Sequence, residues 1–116
     1  MHILHIVDQS VPPLLNSGGS NRLVEWLAVE QAKLGIKVTV LSPEGRSTEN
    51  FSHIKCDINK VSCKELMSII PKNITGIEHH SGLDHDLLAE VQAHFKSFIN
   101  VVHAGTSSTK NAVFVI

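Results

Sequence analysis

Cysteine is scarce in this sequence: its 116 residues include only Cys56 and Cys63. Two cysteines without a metal-type spacing exclude the dense disulfide framework of a small secreted domain, so both are expected to be reduced thiols. Long apolar runs are also lacking, because nowhere do about 18 apolar residues follow one another, as a membrane-spanning helix requires. The apolar start at residues 1–7 is too short for a signal-peptide core and meets Asp8 at once. These absences favour a cytoplasmic protein.

An excess of charge of one sign is absent as well. Ten basic and eleven acidic residues leave a formal charge of -1, which disfavours a broad electrostatic surface for nucleic acid or anionic lipid. The patterns G-x-G-x-x-G and G-x-x-x-x-G-K-[ST] do not occur, so nicotinamide cofactors and P-loop chemistry are disfavoured. Hydrophobic residues at 42% and charged residues at 18% are typical of a globular chain. The length allows a single domain.

Two kinds of apolar segment alternate along the chain. Short runs rich in Ile and Val are typical of strands buried on both faces of a parallel sheet, whereas apolar residues three, four and seven apart are typical of helices. Gly35 is expected to end the first helix, and Ser62 and Glu65 match a capping box. The predicted strands are residues 2–7, 37–42, 53–56, 74–79, 98–103 and 112–116, and the predicted helices cover about residues 23–34, 63–70 and 83–95.

This alternation predicts an α/β fold: a Rossmann-like, doubly wound parallel sheet in a three-layer αβα arrangement. The sequence stops inside the apolar segment 112–116, whereas natural domains seldom end on a bare hydrophobic strand. A fragment of a longer protein is therefore expected, with a native short protein as the alternative.

Polar and glycine-rich segments follow several of the predicted strands. In open parallel sheets, ligands bind beyond the carboxyl ends of the strands, where the strand order reverses. The segments expected at this edge are Asp8-Gln9, Gly18-Gly19, His79-His80-Ser81 and His103-Ala104-Gly105. Four segments from distant parts of the chain are thus expected to converge on one crevice.

Gly18 and Gly19 precede a predicted helix N-terminus, where free amides and the positive end of the helix dipole suit a phosphate. Glycine lets the backbone come close to such a ligand, for example a diphosphate leaving group. Paired glycines before a helix also serve as a simple tight turn, and that alternative stays open.

Three histidines lie at predicted strand ends. His103 closes a strand, where an exposed imidazole can donate to a sugar hydroxyl or stabilise charge that develops at the reacting carbon. His79 and His80 are expected to point to opposite faces of the sheet because strand side chains alternate, so at most one faces the crevice. The alternative for each of them is a rim histidine that is hydrogen-bonded to the backbone.

Metal binding is not assigned. A zinc site of His79, His80 and His85 would lack a recognised ligand spacing. Asp84 and Asp86 spell the D-x-D pattern that holds a divalent cation in another class of sugar transferase. Here both acids are expected in the first turn of a helix, where pairing with the helix dipole explains them.

Four segments together resemble the N-terminal domain of retaining GT-B glycosyltransferases of the glycosyltransferase group 1, or family 4, type. They are residues 1–7, Pro12-Pro13, residues 18–28 and residues 33–43. The resemblance covers nearly the whole chain, strongly before Pro43 and more loosely after Glu44. It implies that residues 1–116 form the Rossmann-like, acceptor-side domain of a two-domain enzyme, with the C-terminal, donor-binding domain outside this sequence.

The resemblance also implies a mode of donor binding. In that family the Gly-Gly loop approaches the donor diphosphate, and Gly18 and Gly19 match it, while Asn21 matches an asparagine used beside the nucleotide sugar. The reaction it implies is a metal-independent transfer with retention of anomeric configuration. The nucleotide sugar is then a co-substrate, no cofactor is expected, and this chain alone is expected to be inactive.

Residues near the acceptor and the transferred sugar are implied in the same way. The segment His79-His80-Ser81 is similar, though not identical, to an H-x-H strand end of the family, which makes these residues candidates for substrate binding. His103 falls where the family has a catalytic histidine near the transferred sugar. The partners implied are a sugar or glycolipid acceptor and the C-terminal domain, with peripheral association at the inner face of the membrane as a further expectation.

A phosphoacceptor receiver domain is the alternative from another class. It shares the parallel architecture and needs acids after strands one and three and a lysine after strand five, and Asp8, Asp57 and Lys110 fall roughly there. Asp57 would then be the phosphoryl acceptor. A receiver needs a second acid beside Asp8 and has no use for a Gly-Gly loop. A non-catalytic binding module of the same fold is a third possibility.

Overall fold

A computed structural model describes residues 1–14, 19–95, 97–102 and 114–115. Strands and helices alternate along these residues, as the apolar patterns predict. The strands are β1 (His2–Ile6), β2 (Lys37–Ser42), β3 (Ser52–Lys55), β4 (Gly76–His79), β5 (Phe98–Val102) and β6 (Phe114–Val115), and the helices are α1 (Gly19–Lys33), α2 (Cys63–Ile69) and α3 (His85–His94).

The strands form one sheet in the order β3-β2-β1-β4-β5-β6. Every neighbouring pair is parallel, and Ile6 at the end of β1 is opposite both Leu41 of β2 and His79 of β4. The chain builds outward from β1 in one direction through β2 and β3, and in the other through β4 and β5. The strand order therefore reverses between β1 and β4.

Helices cover both faces of this sheet. On one face, Val24 and Ala28 of α1 pack in a buried cluster with Val7, Val38 and Val40. The cluster on the opposite face joins α2 and α3 to the sheet through Leu4, Ile6, Leu41, Leu66, Ile77, Leu87, Leu88, Val91 and Phe98. Leu4 and Ile6 of β1 belong to this second cluster, whereas Val7, directly after β1, belongs to the first, because side chains alternate along an extended chain. The predicted three-layer αβα fold is confirmed.

Local signals explain where the helices begin and end. Gly35 follows α1 with φ of 82°, the left-handed conformation that glycine adopts at little cost. Ser62 caps α2 by accepting the amide of Glu65 at 3.2 Å, as the capping box predicts. The carboxylate of Glu65 accepts from the Ser62 hydroxyl at 3.0 Å rather than from a backbone amide. Within the described residues, no helix is long and apolar enough to cross a membrane.

Several of the predicted boundaries differ from the structure, most of them by one or two residues. Helix α1 begins at Gly19 rather than at residue 23. The first turn lacks the apolar spacing on which the helix is predicted, so the prediction does not include it. Strand β4 begins at Gly76, and the preceding Thr75 instead donates its amide to the carbonyl of His2 at 2.8 Å. The fifth strand is described to Val102, so His103 lies outside the described residues.

Candidate functional site at the carboxyl edge of the sheet

The reversal of strand order predicts a crevice at the carboxyl ends of β1 and β4, since the connections that leave these strands lie on opposite faces of the sheet. Asp8 lies two residues beyond β1, and Ser81 lies two residues beyond β4. The register that pairs Ile6 with His79 brings these two residues opposite one another. Predicted segments from the first and fourth strands therefore meet at this edge.

Asp8 and Ser81 exchange two hydrogen bonds. The hydroxyl of Ser81 donates to Oδ1 of Asp8 at 2.6 Å, and the backbone amide of Asp8 donates to Oγ of Ser81 at 3.2 Å. The Asp8 side chain is exposed, and Ser81 is half-buried. The structure thus presents a carboxylate whose position is set by its neighbour and which is open to solvent.

Close packing holds the two loops together. The amide of His80 donates to the carbonyl of Ile6 at 2.8 Å. Gly82 has φ of 109°, and a Cβ there would lie 2.9 Å from Cβ of Asp8 and would overlap the side chain of Ile58. Only glycine satisfies both the conformation and the space at this position. The loop that carries Ser81 is therefore fixed against the loop that carries Asp8.

The first turn of α1 is joined to the same edge. The Asn21 side chain is fully buried and donates from Nδ2 to the carbonyl of Ser10 at 2.8 Å. Among the described residues, its buried Oδ1 has no hydrogen-bond partner. A Cβ built on Gly19 would meet none of the described residues within 4 Å. The α1 N-terminus thus contacts the loop after β1, while Gly18 lies outside the described residues.

A cavity of about 300 Å³ lies beside this edge, between the loops that follow β1 and β2. Its lining includes Ser10, Pro12, Glu44 and Arg46. The two loops are held together where the amide of Val11 donates to the carbonyl of Glu44 at 3.2 Å. The volume is at the lower end of what small-molecule sites occupy.

His79 is buried and has a partner at each ring nitrogen. Its Nε2 accepts from the backbone amide of Leu83 at 3.2 Å, so the proton is on Nδ1, which donates to Oδ1 of Asn100 at 2.9 Å. The ring also stacks on Phe98. Burial lowers the pKa of His79, although the Asn100 hydrogen bond and the charge of Asp8 favour the protonated ring. The neutral ring fixes the 80–83 loop to β5.

His80 lies on the opposite face, in a buried polar network under α1. Nε2 of Gln31 donates to the Glu78 carboxylate at 2.7 Å, which turns Oε1 of Gln31 toward Nε2 of His5, also at 2.7 Å. His5 must then carry its proton on Nε2 and accept at Nδ1 from Nε2 of His80, 3.0 Å away. Burial lowers the pKa of His5, although Glu78 and Gln31 favour its charged form.

Sequence reasoning placed part of this arrangement correctly. His79 and His80 do point to opposite faces of the sheet, and each is only 5% exposed. The backbone hydrogen bond of His79 matches the structural alternative for that residue, whereas Ser81 reaches the crevice. The substrate-binding role of these residues stays a prediction, as does catalysis by His103, which lies outside the described residues.

Several residues of the buried network are not among the predicted site residues. Besides His80, the network contains His5, Gln31 and Glu78. Strand alternation predicts that His5 and Glu78 lie on the same face of the sheet. Each directly follows a residue of the core on the other face, His5 after Leu4 and Glu78 after Ile77. The contribution of Gln31 depends on where α1 crosses the sheet, which no sequence pattern specifies.

The acids of the D-x-D pattern are structural. Asp84 is the N-cap of α3, and its Oδ1 accepts the amide of Leu87 at 2.8 Å, while Asp86 lies in the first helical turn. Across the part of the chain that the structure describes, no group of three or more His, Cys, Asp or Glu side chains is arranged to hold a metal ion.

Asp57 lies apart from the crevice. It follows the edge strand β3, and β2 separates β3 from β1. Its carboxylate is 4.0 Å from the Lys60 ammonium in an exposed pair.

Comparison with protein-family models, with curated proteins and with solved structures finds no match to this chain. The chemistry of the crevice is therefore the basis for a functional proposal.

Proposed function

We propose that this chain is the acceptor-side, N-terminal domain of a retaining GT-B glycosyltransferase that uses a nucleotide sugar. The observation that carries the proposal is the contact between Asn21, in the first turn of α1, and Ser10, in the loop after β1 at the point of strand reversal. It brings a helix N-terminus to the crevice where α/β sheets bind their ligands. The resemblance of residues 1–43 to the family supports the same assignment.

The donor diphosphate would lie at the start of α1. The first amides of a helix have no partner within the helix, and the 15-residue α1 adds the positive end of its dipole. Gly19 leaves open space for a ligand to approach the backbone. Gly18 and Asn21 complete the donor-binding set by resemblance. Stabilising a departing diphosphate requires such donors, and it does not require a metal.

The acceptor would lie on the Ser81 side of the crevice or in the cavity beside Ser10. Transfer passes through an oxocarbenium-like carbon, so polar groups must orient the sugar hydroxyls around it. Ser81 lies at this edge, and His80 is buried beneath it. By resemblance, His103 is the candidate for the catalytic residue. A C-terminal domain of the same protein would supply most donor contacts. A cytoplasmic location, with peripheral membrane attachment for a glycolipid acceptor, belongs to the same proposal.

The strand order favours this proposal over the receiver alternative. Receiver domains have the order 2-1-3-4-5, in which the strand before the phosphoacceptor lies beside the first strand. Here β2 lies between β1 and β3, so Asp57 is one strand removed from Asp8. A phosphoryl group on Asp57 would therefore lie away from the Asp8 carboxylate.

The test is turnover of nucleotide sugars by the natural-length protein that contains this chain. UDP-, GDP- and ADP-linked hexoses are incubated with it, and release of the nucleoside diphosphate is measured without added metal and with EDTA. We expect release from at least one donor, with a large decrease for His103→Ala and no change for Lys60→Ala, far from the crevice. Phosphorylation of Asp57 by acetyl phosphate, with no donor turnover, would contradict the proposal.

A further inference from the structure

We propose that Asp8 binds the acceptor, and that this acceptor presents neighbouring neutral hydroxyl groups rather than a phosphate. The inference rests on the proposed sugar transfer and adds to it the chemical class of the acceptor. It assigns a role to a side chain that the family resemblance leaves without one.

The position of Asp8 is the first reason. It follows β1 directly opposite Ser81, which follows β4, and these are the two strands between which the order reverses. The side chain is exposed at this edge. Asp8 thus presents a negative charge at the edge where the strand order reverses.

The hydrogen bonds of Asp8 are the second reason. A carboxylate offers about four lone-pair sites and only accepts hydrogen bonds. The Ser81 hydroxyl takes one site on Oδ1 and orients the group. The remaining sites suit donors from a ligand. Two adjacent sugar hydroxyls match the two oxygens of a carboxylate, and such charge-assisted hydrogen bonds are strong.

The rigidity of the surrounding loops is the third reason. Gly82 holds its loop against Cβ of Asp8, and the amide of Asp8 donates to Ser81. The carboxylate is therefore in place before a ligand arrives, which reduces the entropic cost of binding.

The charge around Asp8 selects the ligand. In the described ranges, the ion pairs of the structure do not include Asp8. A carboxylate repels a phosphate at contact distance and attracts hydroxyl protons. Asp8 therefore favours a neutral glycoside over its phosphorylated counterpart.

The experiment compares the wild-type protein with Asp8→Asn, which keeps an oxygen to accept from Ser81 and removes the charge. Asp57→Asn, an exposed acid beyond the edge strand, is the matched control. Methyl glucoside, methyl mannoside and methyl galactoside are the neutral probes, and glucose 6-phosphate and mannose 6-phosphate are the anionic ones. Binding is measured by saturation-transfer NMR, and donor hydrolysis without acceptor is measured in parallel.

We expect at least one neutral glycoside to bind the wild type, and its affinity to fall about tenfold or more in Asp8→Asn. Asp57→Asn should bind the glycoside like the wild type, and its hydrolysis of the donor should stay within about twofold of the wild-type rate. Ser81→Ala, which frees the carboxylate to rotate, should weaken binding less than Asp8→Asn. It also provides the test if Asp8→Asn fails to fold.

The inference would be overturned by equal affinity of Asp8→Asn and wild type for the neutral probes, or by binding of the sugar phosphates alone. Wild-type protein that binds none of the neutral probes would also overturn it. Failure of the underlying function gives a different pattern, in which no nucleotide sugar is hydrolysed although Asp8→Asn still loses glycoside binding.

Discussion

His5 and His80 face each other in the interior, with Nδ1 of His5 3.0 Å from Nε2 of His80 and the two rings stacked 5.2 Å apart. The amide of Gln31 orients the proton of His5, so only His80 can donate across this contact. A proton added to Nδ1 of His5 would oppose the N–H of His80 in this tautomer. The network thus contains a neutral His5 and ties α1 to both strands that border the crevice.

Stability should consequently depend on pH. Burial lowers the pKa of both His5 and His79 in the folded chain, whereas in the unfolded chain each returns to about 6.5. Below that value the unfolded chain binds more protons, so the free energy of unfolding should rise as the pH increases toward 6.5 and then level off. Urea unfolding followed by circular dichroism between pH 5 and 8 measures this.

His79→Gln removes one of these two titrating groups and should make the dependence shallower. A free energy of unfolding that is constant from pH 5 to 7, or that increases on acidification, would show that the two rings are not held neutral in the fold.

The Gln31 side chain should contribute measurably to stability. Gln31→Leu leaves Nε2 of His5 and the carboxylate of Glu78 without their shared partner, and a buried group left unpaired costs about 1–3 kcal/mol. Gln92→Leu on α3 is the matched control, with an expected change within about 0.5 kcal/mol. Equal effects of the two substitutions in chemical denaturation would rule out the network as a source of stability.

Two glycines at the crevice should respond in opposite ways to alanine. Gly82→Ala forces a side chain into positive φ against Ile58 and Asp8, with an expected loss of about 2–4 kcal/mol. Gly19→Ala adds a methyl group to open space in a helix, with an expected change between zero and a gain of about 1 kcal/mol. Thermal unfolding measures both. A tolerated Gly82→Ala would contradict the close contact between the two loops.

The role of Asp84 can be separated from metal binding. Asp84→Ala removes the N-cap of α3 and should cost about 1 kcal/mol, whereas Asp84→Asn can still accept the Leu87 amide and should cost less. Because the acids serve the helix, millimolar Mg²⁺ or Mn²⁺ should leave the Tm of the wild type unchanged. A metal-dependent rise in Tm that Asp84→Asn abolishes would instead indicate a cation site.

Much of the fold follows from local patterns. The alternation of apolar runs with helical spacing predicts the αβα architecture, and β2 has its predicted bounds because Gly35 and Pro43 limit it on both sides. Strand alternation alone separates His79 from His80. Such features depend on residues close in sequence, so they can be inferred without knowing which strands pair.

The sequence predicts that the segments after β1 and β4 meet, but the individual side-chain contacts of the site join distant residues and are not specified by any local pattern. His5 and His80 are 75 positions apart, and Asp8 and Ser81 are 73 apart. Their partnership follows from the pairing of β1 with β4 and from its register, a tertiary property. The positive φ of Gly82 likewise arises from the close approach of the two loops and not from a turn pattern in the sequence.

The most direct test of sugar transfer at this crevice is the turnover of the natural-length protein with Gly19→Val, compared with wild type on the nucleotide sugar that it uses best. A Cβ at Gly19 meets no atom of the described residues within 4 Å, so the Tm should change little, while the diphosphate loses its approach to the backbone and kcat/KM should fall by about a hundredfold or more. An unchanged kcat/KM in a correctly folded Gly19→Val protein, or a wild type that turns over no nucleotide sugar, would contradict the account.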